Sequence, residues 1–199
     1  MQRHEEKAES YPSFIGSWDL ENPGLCLDII SFFEKNENRQ TLGETAKGID
    51  LETKNSTDMV IYPNEITMPQ FKIFNVYLQS LYECYADYAD QWPFLKSTFP
   101  KLDIGAFNIQ KYNPGGHFAE IHSERTAITS LHRLFAFMTY LNDDFVGGKT
   151  SFTHFGFDVE PKVGKTLIWP AEWTHAHKGN IIESGSKYIA TGWIHLPII

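Results

Sequence analysis

From Pro100 onward the chain loses helical periodicity and becomes a succession of short strand-like runs, at residues 104–112, 118–122, 134–141, 150–153, 166–169 and 187–196. Turn formers separate them: Pro114-Gly115-Gly116, Asn142-Asp143-Asp144, Gly147-Gly148, Val163-Gly164 and Gly185. Short strands at such spacing pair antiparallel into a sandwich or barrel, and the jelly roll is the version that encloses a small-molecule site. The first half reads differently. Leu25, Ile29, Phe32 and Phe33 recur at helical spacing over residues 25–34, after a turn at Asn22-Pro23-Gly24. Phe71, Phe74, Leu78, Leu81, Tyr85 and Tyr88 make a second, longer apolar stripe over residues 69–90. The polar stretch 36–58 between them predicts a long loop with one strand near Ile49. The expected fold is α+β, mainly β: a double-stranded β-helix (jelly roll) core with the N-terminal helices packed on its major sheet. The expected organisation is a flexible tail at 1–12 and one domain at 13–199, with a helical support region at 13–100 and the jelly-roll core at 101–199.

Charge and cysteines narrow the function classes. A formal net charge of −8 with no run of Lys or Arg argues against a nucleic-acid surface. No apolar run reaches the roughly 18 residues of a membrane span, and no charged-then-apolar leader precedes the tail. The two cysteines, Cys26 and Cys84, lie in the helical segments without a Cys or His neighbour at ligand spacing, so no disulfide framework is expected. Together these features predict a cytoplasmic protein without nucleic-acid or membrane partners.

Two Gly-Lys-Thr tripeptides, at 148–150 and 164–166, imitate a phosphate loop. Both lack the glycine such a loop needs five positions earlier, where Asp143 and Val159 stand. The productive spacing lies elsewhere. His122 and Glu124 are one residue apart on a predicted strand, so imidazole and carboxylate leave the backbone on the same side. With a second histidine downstream they would make a two-histidine, one-carboxylate facial set, the arrangement of non-haem Fe(II) oxygenases. Spacing alone leaves rivals open. Glu120 shares the face of His122, and His175 shares that of His177 if the chain is extended there, so a zinc site using both histidines stays open at this point. His117, His132 and His154 have no partner at ligand spacing, and His4 falls in the tail.

The motifs then fall into a familiar order. Tyr112-Asn-Pro-Gly-Gly-His-Phe118 precedes His122-Ser-Glu124; Arg133 precedes Tyr140-Leu-Asn-Asp; Gly147-Gly-Lys-Thr150-Ser-Phe152 and Val159-Glu-Pro-Lys-Val-Gly164 follow. Trp173-Thr-His-Ala-His177-Lys-Gly179 and Gly185-Ser-Lys187-Tyr188 lead to Trp193. Over residues 112–194 the chain resembles the prolyl 4-hydroxylase-like branch of the Fe(II)/2-oxoglutarate-dependent dioxygenases. The resemblance implies that His122, Glu124 and His177 hold Fe(II), His177 being chosen because it stands two residues before Gly179 and ten before Lys187. It also implies that Lys187 meets the distal carboxylate of 2-oxoglutarate, that Tyr112 and Thr150 hydrogen-bond the same co-substrate, and that Trp193 lines the cavity. Arg133 and His195 resemble substrate-contacting residues, which favours a proline in a peptide or protein as the target. The reaction implied uses O2, releases succinate and CO2, and takes ascorbate as reductant. The usual aspartate is replaced here by Glu124. Rival readings are the same reaction on a free amino acid or other small molecule, and a non-catalytic cupin-like metal-binding or sensor module. Phe135, Phe137 and Met138 are expected to keep the cavity dry, and either the 36–58 loop or the segment after Glu124 is expected to form its mobile rim.

Overall fold

The computed structural model describes residues 12–197. The tail expected at 1–12 therefore lies, except for Pro12, outside the described residues. In chain order the first half contains β1 (Gly16–Asp19), α1 (Pro23–Lys35), β2 (Thr41–Leu42), β3 (Lys54–Asn55), β4 (Thr57–Ile61), α2 (Lys72–Gln91) and α3 (Pro93–Thr98). The second half opens with β5 (Asp103–Ile104), β6 (Phe107–Tyr112), β7 (His117–His122), β8 (Arg133–Tyr140) and β9 (Val146–Gly147). It continues with β10 (Thr150–Phe152), β11 (Phe157–Val159), β12 (Lys165–Pro170), β13 (His177–Gly179), β14 (Ile182–Ser184) and β15 (Lys187–His195). An eight-stranded sheet runs β1-β12-β8-β15-β6-β4-β2 with β5 added at β15, and a five-stranded sheet runs β11-β10-β13-β7-β3. All these pairings are antiparallel, and the two sheets form the jelly-roll core with the helices on the larger one. No helix among the described residues is long and apolar enough to cross a membrane.

The helices form where local signals coincide. Asn22 caps α1 through its side-chain oxygen, which accepts from the Leu25 amide at 3.1 Å, and Pro23 occupies the first turn. The face carrying Leu25, Cys26, Ile29 and Phe33 is buried. In α2 the deepest residues are Phe74, Tyr77, Leu81, Cys84 and Tyr88, whereas Leu78 and Tyr85 of the predicted stripe are only partly covered. The turn from Pro69 to Phe71 is 3₁₀ rather than α.

Alternation along the strands divides two cores. On β6, β8 and β15 the residues Phe107, Ile109, Phe135, Phe137, Ala190 and Ile194 pack under the helices. Their neighbours Tyr112, Ala136, Met138, Tyr140 and Ile189 face the space between the sheets. Phe135 and Phe137 are therefore not cavity walls as expected from sequence; of the three only Met138 lines the cavity, because period two sends it to the opposite face. Each fully buried Phe contributes roughly 1.5–3 kcal/mol against exposure.

The 36–58 stretch departs most from expectation. Ile49 is exposed and outside any strand, while β3 and β4 occupy its end and β4 pairs with β6 inside the large sheet. The cause is chemical. Lys54 and Asp58 form a buried ion pair at 2.5 Å, and Asp58 also accepts from Ser56 at 2.7 Å and from Gln110 at 3.0 Å. Mutual satisfaction lets charged residues enter a core that their sequence would not announce. Asp58→Ala leaves the ammonium of Lys54 buried and unpaired, so it is expected to cost about 3–5 kcal/mol, read from the shift of a urea unfolding curve.

Candidate active site

β7 and β13 pair antiparallel with His122 directly opposite His177, which brings residues 55 positions apart in sequence to a ring-centroid separation of 4.4 Å. Glu124 follows β7 by two residues, its amide tied to the Ala171 carbonyl at 3.2 Å. Its Oε1 lies 3.5 Å from Nε2 of His177 and 4.0 Å from Nε2 of His122. One donor atom from each of the three lies within 4.8 Å of the others.

Neighbours hold each donor in the state a cation needs. Nδ1 of His122 meets the Glu120 carbonyl at 2.8 Å, and Nδ1 of His177 meets the His175 carbonyl at 2.9 Å. A carbonyl can only accept, so both Nδ1 atoms carry a proton, and it is Nε2 of each ring that faces the site and would supply the lone pair to a cation. Phe118 stacks on His122 with centroids 3.8 Å apart at 14°. Burial, reinforced by the nearby His177, pushes the His122 pKa down to about 4, which keeps the ring neutral. Burial would raise the carboxyl of Glu124, but hydrogen bonding and charge from His177, then His122 and Trp193, outweigh it and hold the pKa at about 2. The donor set, two imidazoles and one carboxylate, fits Fe(II).

Both rivals are placed elsewhere. Glu120 pairs with exposed Lys47 at 2.7 Å at the mouth. Trp173–His175 is a 3₁₀ turn, not extended chain, and the His175 ring meets the Ser13 carbonyl at 2.7 Å.

Trp193 donates to Oε2 of Glu124 at 2.7 Å, leaving Oε1 toward the histidines. Trp193→Phe removes that donor while keeping the ring, and it is expected to weaken Fe(II) binding about 10- to 100-fold in an anaerobic titration.

A cavity of about 650 Å³ between the sheets is lined by the triad together with Tyr112, Arg133, Thr150, Lys187 and Trp193. Thr41, Leu42, Thr45, Lys47 and Thr126 contribute to the same lining. Lys187 is 3% exposed, lies near the rings of Tyr112 and Tyr140, and donates to the Gly148 carbonyl at 2.7 Å. Among the described residues no carboxylate pairs with it, and burial pushes its pKa down to about 7. Gly148 has φ +67°, and a Cβ there would stand 2.4 Å from Ile182 and 3.2 Å from the Lys187 side chain, so glycine is required beside the ammonium. The Thr150 hydroxyl is 2.7 Å from that of Tyr140. Tyr112 donates to Gln110 Oε1 at 2.7 Å, and Gln110 in turn donates to Asp58, which couples this end of the cavity to the buried ion pair.

Arg133 lies over the Trp193 ring, 3.5 Å from its centroid, and donates to the Glu124 carbonyl at 3.2 Å. His195 does not line the cavity with it. The β8–β15 register shifts between Ile194 and His195, and the His195 ring turns edge-on to His132 with centroids 5.0 Å apart. Sequence reasoning passed over Phe118, Tyr140 and the Lys54–Asp58–Gln110 network. Phe118 and Tyr140 stood within quoted motifs; nothing local marked Lys54.

A profile of the 2OG-Fe(II) oxygenase superfamily matches residues 107–195, the segment that carries the triad, Lys187 and Trp193. Over 92 residues the chain is 26% identical to prolyl 4-hydroxylase subunit alpha-2 of Gallus gallus, a match that spans 43% of this chain and only 17% of that one. A Pseudomonas putida prolyl-4-hydroxylase superposes with TM-score 0.70 at 16% identity, covering 94% of both chains. The viral collagen prolyl hydroxylase of Paramecium bursaria Chlorella virus-1, solved with 2OG, gives TM-score 0.68 at 17% identity over 92% of this chain and 97% of that one. A prolyl hydroxylase of Trichoplax adhaerens in complex with a hypoxia inducible factor peptide gives 0.67 at 11%, over 92% and 84%. At such identities the structural likenesses speak to the fold, and the profile match speaks to the segment 107–195. Over residues 107–195 the chain matches the 2OG-Fe(II) oxygenase superfamily, and its fold is the one shared by the prolyl hydroxylase structures it superposes on.

Proposed function

We propose that this protein is an Fe(II)- and 2-oxoglutarate-dependent dioxygenase that hydroxylates a proline in a peptide or protein, with release of succinate and CO2. The observation that carries the reading is Lys187, a buried side chain with no carboxylate partner among the described residues that faces the same cavity as the triad. Leaving such a charge unpaired costs stability, and a dicarboxylate held by the site relieves that cost. A metal sensor has no use for it, which weighs against the cupin-like alternative.

Each side chain then has a task. His122, Glu124 and His177 would hold Fe(II), which supplies, with 2-oxoglutarate and O2, oxidative decarboxylation coupled to C–H hydroxylation. Lys187 anchors the distal carboxylate, and the hydroxyl of Thr150 adds a hydrogen bond beside it. Tyr112 closes the same wall with its ring against the ammonium. Ile189, Met138 and Trp169 exclude water around the reacting centre. Arg133, held flat on Trp193, offers its remaining N–H groups to a substrate carbonyl or carboxylate. The Trichoplax adhaerens enzyme was solved with a peptide, and by analogy a peptide is favoured here over a free amino acid.

Purified protein supplied with Fe(II), ascorbate and 2-oxoglutarate should release succinate, faster when proline-containing peptides are added, with a gain of one oxygen on the peptide by mass spectrometry. Absence of succinate from iron-loaded protein would reject the oxygenase reading. Succinate stimulated by free amino acids alone would reject the peptide substrate.

A further inference from the structure

Spare hydrogen-bonding capacity on the cavity wall shows which ligand groups remain to be satisfied. Facing inward from β6 and β15 are Asn108, Gln110, Thr191 and Trp193, and most of their polar atoms already have partners. Thr191 donates to the Phe137 carbonyl at 2.9 Å, Gln110 bridges Tyr112 and Asp58, and Trp193 donates to Glu124. Asn108 differs. Among the described residues its side-chain amide makes no hydrogen bond, although it is half-buried in mid-strand between Val60 on β4 and Thr191 on β15. Asparagine is a poor strand residue, and β-branched neighbours on both sides make a β-branched residue the locally favoured choice. The amide is open to the cavity rather than sealed from water, and an unpartnered donor and acceptor kept at a strand position against propensity is placed to meet a ligand that enters there.

The chemistry of that amide restricts the ligand. Asn108 offers both a donor and an acceptor without charge, matching the N–H and C=O of a peptide group, whereas Arg133 can only donate. A free amino acid presents charged ends, for which Asn108 has no counter-charge. We infer that Asn108 is a specificity-determining residue that hydrogen-bonds a main-chain peptide unit of the substrate, so that the enzyme selects a polypeptide over a free amino acid. This rests on the oxygenase reading above and sharpens its substrate class.

The test uses iron-loaded protein, a pool of acetylated and amidated pentapeptides with central proline, and free L-proline as competitor substrate. For Asn108→Ala, and for Asn108→Thr as a strand-favouring second variant, KM for the best peptide is expected to rise about tenfold with kcat changed less than about threefold. N-methylating each peptide nitrogen that bears hydrogen in turn should reveal one position that lowers kcat/KM about tenfold for the wild type and less than about twofold for Asn108→Ala, because the partner is already gone. An unchanged peptide KM in both variants, or N-methyl effects that are the same in wild type and variant, overturns the inference. So does succinate release that no peptide raises above the substrate-free level, while the oxygenase reading stands. If the wild type releases no succinate under any condition, the oxygenase reading itself fails and this inference falls with it.

Discussion

Replacing Lys187 with methionine is expected to lower kcat/KM for 2-oxoglutarate about a hundredfold to a thousandfold while raising the melting temperature of the ligand-free protein. The two effects share one cause. Truncating a buried partner of a charge-assisted pair typically costs 2–5 kcal/mol or more of binding, roughly two to three powers of ten. Without the co-substrate the same ammonium is a burden, since burial alone brings its pKa from 10.5 to about 7. The sign follows from linkage. Between pH 7 and 10.5 the folded chain binds fewer protons at Lys187 than the unfolded chain, so this residue makes stability rise with pH across that window. Below pH 7 both states are protonated and the full desolvation penalty applies. Binding of 2-oxoglutarate requires the charged form, so above about pH 7 it must take up a proton and its affinity should fall. Thermal melts at pH 7 and 9, with anaerobic calorimetry of 2-oxoglutarate binding in two buffers of different ionisation enthalpy, read both slopes. A methionine variant that keeps the wild-type pH dependence would remove Lys187 from the co-substrate site.

Glu124→Ala should lower Fe(II)-dependent succinate release about a thousandfold, and Glu124→Asp, although it keeps the carboxylate, should still cost about a hundredfold. Glutamate spends its length in this cavity: Oε2 accepts from Trp193 at 2.7 Å while Oε1 faces His177 at 3.5 Å. Removing one methylene withdraws the carboxylate by roughly 1.5 Å, several times the roughly 0.5 Å tolerance of a metal site, and a misplacement of about 1 Å costs on the order of a hundredfold. Steady-state kinetics with an anaerobic Fe(II) titration separate loss of metal from loss of turnover. Equal activity of the aspartate variant would mean that the bond to Trp193 does nothing for the metal.

Much of this site was legible because its signals are local. Lys187, Ile189, Thr191 and Trp193 line one cavity through the two-residue period of β15, whereas Glu124, expected on the strand of His122, lies two residues past the end of β7 and is turned to the site by its amide bond to the Ala171 carbonyl. His177 was selected over His175 only through the order of motifs; the geometric cause, a 3₁₀ turn ending at His175 just before β13 begins, lay outside any spacing rule. His195 shows the limit of extrapolating a period: a register shift one residue earlier turns it toward His132.

By itself the sequence determined the strand-rich second half, the two amphipathic helices and the residue types able to meet a divalent cation, because alternation, capping and turn chemistry act within a few residues. Only the tertiary structure decided which face of β8 looks inward, that Lys54 and Asp58 enter a core as a pair, and that the Asn108 amide is left open to the cavity. Those outcomes depend on which strand lies beside which, and a pairing partner dozens of residues away leaves no mark on the local pattern.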